Sequence, residues 1–177
     1  MRFELLSDRH RVDNFSCGEP TLDRWLRDHA HVNQRRGLSR TFVAVNDADG
    51  TPVGEEVVAG YVTLVATAVE VERLPSRERR GLVGLDQVGA ALIARLARDQ
   101  RHRKRQLGAW LLQQALYRVI EADQHLAIRV VAVDALNERA ADWYAEWGFK
   151  PLPGGPANRL WLPMKRVRAS LTPPRHP

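Results

Sequence analysis

The chain carries a single cysteine, Cys17, in 177 residues. An internal disulfide and a cysteine-based zinc site are therefore excluded, no metal is expected, and the usage fits a reducing cytoplasm. Nowhere do apolar residues approach the eighteen or so unbroken positions of a membrane-spanning helix, so no membrane partner is expected. The N-terminal MRFELLSDRH has no apolar signal core, which argues against a targeting segment. Internal repeats and low-complexity stretches are missing as well. What remains is 44% apolar and 27% charged, the balance of a soluble globular domain, expected over residues 1–166 with a flexible tail over 167–177. The net charge of +6 and pI near 10.2 favour an anionic partner.

Hydrophobic patterning orders the elements. FELL (Phe3–Leu6) reads as a first strand. A helix begins near Pro20, with Pro at its first position and Asp23 in its first turn; Leu22, Trp25, Leu26 and Ala30 form its inner face, and Gly37 ends it. Arg40–Asp47 is a strand, DADGTPVG a turn, and VVAGYVTLVATAV a second strand pairing back as a hairpin. Glu72–Gly81, polar, basic and containing Pro, is expected to be a mobile loop, and Val88–Asp99 a central strand buried on both faces. Leu107, Leu111, Ala115 and Val119, flanked by Leu112, Leu116 and Ile120, make an amphipathic helix of about four turns, with Trp110 also on its inner face. Ile128–Ala135 is a buried strand. Asn137–Phe149 is a short helix capped by Asn137 and stopped by Gly148, and Arg159–Met164 is a last strand before a loose tail from Arg168. Strands with one helix, then strands alternating with helices, define a mixed α/β (α+β) layer.

Between the central strand and the amphipathic helix lies RDQRHRKRQLGAWLL (Arg98–Leu112), with five Lys/Arg and a His crowded into eight positions. Such a run can be a handle for nucleic acid, a cradle for a phosphorylated cofactor, or a solvated loop. Its position favours the cradle for its Arg103–Gly108 end. A helix N-terminus leaves backbone N–H groups unpaired and carries partial positive charge, which suits a pyrophosphate.

That stretch and NERAADWYAEWGF together resemble the Gcn5-related N-acetyltransferases (GNAT family). Their acetyl-CoA turn reads Gln/Arg-x-x-Gly-x-Gly/Ala, and a later helix reads Asn-x-x-Ala-x-x-aromatic-Tyr-x-x-x-Gly-Phe. Arg103 and Gly108 match the first pattern, with Gln106 standing where the first Gly is usual. Asn137, Ala140, Trp143, Tyr144, Gly148 and Phe149 match the second at every position. His10, FSCGEPTLDRWL and SRTFVAV are similar to the TacT-type acetyltransferase toxins of bacterial toxin–antitoxin pairs, and this likeness spans about residues 4 to 165.

The resemblance implies a mostly antiparallel sheet splayed at an acetyl-CoA site, with helices on both faces. It implies cofactor contacts from Leu96, Ala97, Arg98, Arg103, Lys104, Arg105, Gln106, Leu107, Gly108, Ala109, Asn137 and Tyr144, and a catalytic Tyr144 that protonates the leaving thiolate. The acceptor it implies is the α-amine of aminoacyl-tRNA, and the partners are that tRNA, a ribbon-helix-helix antitoxin and, as an open option, a second copy in a homodimer. The chemistry asks for little, because an α-amine with a pKa of about 8 is already partly free base near neutrality. Asn137 is either a helix cap or a ligand, and Tyr144 either an acid or a core aromatic. Cys17 reads as a small buried thiol rather than a nucleophile, His102 as a surface residue, and Trp25 as core. Two further basic groups, Arg24/Arg27/Arg35/Arg36/Arg40 and Arg73/Arg77/Arg79/Arg80, suit a large polyanion. The rival readings are an ordinary acetyltransferase of the same fold acting on a small amine or protein N-terminus, and a non-catalytic nucleic-acid-binding relative.

Overall fold

The computed structural model describes residues 1–45, 56–102 and 106–171. Among them are eight strands, forming a mixed sheet, and six helices. The chain makes two compact units, one of Met1–Val65 with Ala94–Ala115, the other of Ala66–Ile93 with the residues from Leu116 on.

The first unit opens with β1 (Arg2–Leu5), which pairs antiparallel with β3 (Arg40–Val45), and β3 pairs antiparallel with β4 (Glu56–Glu70). The expected hairpin is thus present, with Arg40 opposite Leu64 and a bulge between Ala44 and Val45. The last two residues of the expected strand and the turn Asp47–Gly54 lie outside the described residues. A two-residue strand, β2 (His10–Arg11), runs parallel to the start of β4. The helix expected from Pro20 is two: α1 (Pro20–Asp28) and α2 (Ala30–Arg35), broken at His29, whose φ/ψ of −122°/−27° leaves the helical region. Gly37 ends the segment in the left-handed region at φ +73°. Trp25, Leu26 and Ala30 face inward against Val43, Val45, Val58 and Tyr61, all fully or nearly fully buried. Gln34 ties the helices to the sheet: its side-chain amide donates to the Leu6 carbonyl at 2.7 Å and accepts from the Thr41 N–H at 3.0 Å.

The second unit holds the start of β5 (Gln87–Arg98), which pairs parallel with β6 (Val130–Asp134). β8 (Arg159–Pro163) pairs antiparallel with β6, and the short β7 (Lys150–Pro151) with β8. Its core joins Val69, Leu74, Val88, Val130, Leu152 and Trp161. At Gly89 an added Cβ would lie 2.2 Å from the Ala127 carbonyl oxygen, so only a bare backbone fits. Helix α4 (Leu107–Asp123) continues from the first unit into the second, and its Leu111, Leu112, Ala115, Leu116 and Val119 are buried as their spacing requires.

Two expectations are corrected here. Glu72–Gly81 is not an open loop. A 3-10 turn (Val71–Arg73) and α3 (Ser76–Arg79) fold it, because Leu74 is buried and Glu78, 5% exposed, is held by Lys165 at 2.7 Å. The tail is also shorter than expected: α6 (Met164–Ser170) covers Arg168–Ser170, and burial of Met164, Val167 and Leu171 along one face fixes it. The rest of the tail, 172–177, lies outside the described residues.

Candidate active site

The turn read from sequence as a phosphate cradle begins at Asp99, directly after β5. Asp99 is 1% exposed and gathers four donors: the Ser16 N–H (3.1 Å), the Arg101 N–H (2.9 Å), and Arg101 Nε and Nη2 (2.8 Å each). Burial alone would raise its pKa, but these bonds together outweigh it and hold the carboxyl at about 2. The N–H of Asp99 donates to Ala59 O and that of Gln100 to Ser16 O, so the entry to the turn is fastened on both sides. A pKa lowered on folding means stability that is fully present above about pH 4 and lost as pH falls through about 2. Asp99→Asn is expected to lose about 2 kcal/mol at neutral pH, read as a lowered thermal midpoint, and to flatten the acid limb of the stability–pH curve. A variant with the wild-type midpoint and acid limb would show that the fastening is not structural.

Arg103, Lys104 and Arg105 lie outside the described residues. Gln106, next in line, is exposed and has φ +46°, the left-handed backbone that favours glycine. Gln106 stands where the family pattern usually has glycine, and its backbone takes a conformation that glycine adopts readily. Its carbonyl accepts the Trp110 N–H at 3.2 Å and so starts α4; the amides of the first turn, Leu107, Gly108 and Ala109, are then left without intrahelical partners by helix geometry. Leu107 is buried, while Gly108 and Ala109 are half-buried. Leu96 and Arg98 are half-buried; Ala97 is 6% exposed and packs with Trp25 and Leu26, so what it can offer a ligand is its backbone. Arg98 Nη1 and His102 Nδ1 are buried without a hydrogen-bond partner among the described residues, and His102 is therefore more enclosed than the surface role expected of it. Trp110 is half-buried, its ring edge-on to Phe3 at 5.8 Å.

In the second unit, helix α5 (Glu138–Glu146) carries the other half of the motif. Asn137 is exposed and extended (φ −158°), and its Oδ1 accepts the Ala140 N–H at 2.9 Å, which realises the cap. Gly148, at φ +86°, closes the helix, donating to Ala145 O at 2.9 Å, and Phe149 N–H returns to Tyr144 O at 3.2 Å. Tyr144 is 6% exposed, edge-on to Trp143 (4.9 Å) and Phe149 (5.6 Å). Burial pushes its phenol well above the ordinary range, which favours the protonated form. A protonated phenol on a firmly capped helix can donate a proton and cannot serve as a base.

The remaining residues singled out by sequence divide clearly. Cys17 is half-buried; burial, and then the neighbouring Asp23, push its thiol up to about 12, which removes it as a nucleophile. Arg24, Arg27, Arg35, Arg36 and Arg40 are exposed on the first unit. In the second unit Arg73 is tied to Glu70 at 2.6 Å, Arg79 leans on Ser76, and Arg80 is exposed. His10 sits between Glu4 (2.9 Å) and Glu56 (3.2 Å), a grouping whose ligand atoms could hold a metal ion. Arg2 and Arg9 also pair with these carboxylates, so the charge is already balanced by protein.

Residues 3–149 match the acetyltransferase (GNAT) family model, and the chain belongs to that family, whose cofactor is acetyl-CoA. A "tRNA-acetylating toxin" of Mycobacterium tuberculosis is 35% identical over 164 residues, 93% of this chain and 92% of that protein. AtaT complexed with acetyl-methionyl-tRNAfMet is 29% identical with a TM-score of 0.85, covering 97% of this chain and 99% of that one. A Tyr-to-Phe mutant of the AtaT toxin, bound to the C-terminus of the antitoxin AtaR and to acetyl-CoA, is 26% identical with a TM-score of 0.79, over 96% of each chain.

Proposed function

We propose that this chain transfers the acetyl group of acetyl-CoA to the α-amine of an aminoacyl-tRNA and so withdraws that tRNA from translation. The observation that carries the reading is Tyr144: buried, protonated, and fixed on a helix with its Asn cap and glycine stop both in place. The choice of acceptor is supported by the likeness to a tRNA-acetylating toxin along nearly the whole chain.

The residues present suit acetyl-CoA. The left-handed Gln106 leads into the unpaired first-turn amides of α4, an electropositive helix start suited to phosphate, and Arg98 adds a buried donor with no protein partner among the described residues. The sequence sets Arg103, Lys104 and Arg105 directly before Gln106, which adds positive charge, and Leu96 and Ala97 offer main-chain groups at the end of β5. Bound acetyl-CoA supplies an activated thioester. Tyr144 gives its proton to the departing sulfur, a step of the general-acid kind worth about 10²–10⁴ in rate. Asn137, its Oδ1 engaged by the cap, retains an NH2 group for the cofactor. The acceptor amine needs no strong base. A ribbon-helix-helix antitoxin, self-association into a homodimer and a cytoplasmic site of action complete the proposal; no helix among the described residues is long and apolar enough to cross a membrane.

The test is acetyl transfer from labelled acetyl-CoA to bulk tRNA charged with the twenty amino acids, beside free amines and peptides with free N-termini. Charged tRNA is expected to accept label at the α-amine and uncharged tRNA not at all. Label entering peptides or small amines in preference would replace this reading with that of an ordinary acetyltransferase.

A further inference from the structure

Arg95, on β5 immediately before the residues assigned to the cofactor, has no place in the chemistry above. Its guanidinium lies 4.1 Å from the centre of the Trp25 ring. Trp25, 8% exposed, stacks in turn on Tyr61 (6.0 Å between centroids, 15° between planes), and the Tyr61 hydroxyl donates to Leu22 O at 3.0 Å. A guanidinium held over a buried ring by cation–π attraction is positioned by that ring while its N–H donors stay available to a planar or tetrahedral oxyanion.

Two other half-buried arginines each have a carboxylate: Arg159 has Asp134 at 2.7 Å and Arg73 has Glu70 at 2.6 Å. Arg95 has none among the described residues, and its half-buried position disfavours its charge. Strand alternation places Arg95 with Ala97 on the face that packs against α1, and Leu96 with Arg98 on the opposite face. The cation thus faces away from the side on which Arg98 offers its buried donor to the cofactor's phosphates.

We infer that Arg95 is a binding residue for the acceptor, taking the phosphodiester that precedes the terminal, aminoacylated nucleoside of the RNA. This assignment rests on the proposed function and deepens it. An aminoacyl-nucleoside end is uncharged apart from its amine, so its nearest anion is that phosphodiester, and a bidentate contact there fixes how far the amine reaches. The same contact separates charged RNA from peptides and small amines, which offer no phosphate at that distance.

The experiment compares two acceptors, intact aminoacyl-tRNA and an aminoacyl-adenosine that lacks the phosphodiester, using wild type, Arg95→Met and Arg95→Lys. Met keeps an unbranched stem over Trp25 and removes the charge. For Arg95→Met the KM for aminoacyl-tRNA is expected to rise about 10- to 100-fold, as for loss of a charged hydrogen bond, with turnover of aminoacyl-adenosine and affinity for acetyl-CoA within about twofold of wild type. The salt dependence of tRNA binding should lose about one unit of slope. Lys, which keeps charge and loses the planar fork, should fall between. Equal losses on both acceptors, a weakened acetyl-CoA affinity, or unchanged tRNA kinetics with weakened antitoxin binding would each overturn the assignment. Wild-type protein that acetylates no charged tRNA would instead refute the function itself, since that arm does not depend on Arg95.

Discussion

Tyr144→Phe is expected to cut acetyl transfer to aminoacyl-tRNA by about 10²- to 10⁴-fold while leaving the fold and acetyl-CoA affinity in place. The substitution removes one oxygen and keeps the ring between Trp143 and Phe149, so the packing that seats α5 is retained. Stability should change by about 1 kcal/mol or less. Because burial keeps the phenol protonated, wild-type turnover should rise with pH as the acceptor amine, with a pKa of about 8, loses its proton. No alkaline fall should follow near the ordinary tyrosine value of about 10. Cells producing the wild type without its antitoxin should stop growing, and cells producing the Phe variant should not. Transfer rates measured on preparations matched for thermal midpoint decide the matter. A Phe variant retaining more than about half of wild-type activity would remove Tyr144 from the reaction.

The largest loss of stability is expected from Gly89→Ala. The added methyl would sit 2.2 Å from the carbonyl oxygen of Ala127, a backbone atom on the approach to β6. Neither side can yield cheaply, for the Gly89 carbonyl accepts the Arg129 N–H at 2.8 Å, and Ala90 and Ala91 next to it are in register with Val130 and Val131. Forcing the strands apart should cost about 3 kcal/mol, and for a chain of this size that lowers the thermal midpoint by about 6–12 °C. A midpoint within about 2 °C of wild type would show that the β5–β6 seam tolerates a side chain here.

The parts of this molecule that sequence discloses are those decided by neighbours along the chain. The spacing of Leu107, Leu111, Ala115 and Val119 gives α4 because burial of one helical face repeats every three or four residues. The Asn137 cap and the Gly148 stop lie within reach of the backbone they serve, and both are found where their chemistry places them. Contacts made across the fold are not disclosed in this way. Asp99 takes its donor from Ser16, 83 positions away, and Arg95 its ring from Trp25, 70 positions away. Glu78 belongs to a run that looks solvated, yet Lys165 from the far end of the chain holds it inside. One miss did carry a local signal: Met164, Val167 and Leu171, at spacings of three and four, mark the inner face of α6. Its short length and the prolines beyond it hid the pattern.

At Gln106 the turn gives up stability to hold its shape. A left-handed backbone under a side chain costs about 1 kcal/mol relative to glycine. The fold holds this backbone at Gln106 in spite of that cost. Exchange for glycine would be downhill for the fold, and what the turn demands at this position is a dihedral angle rather than a particular amino acid.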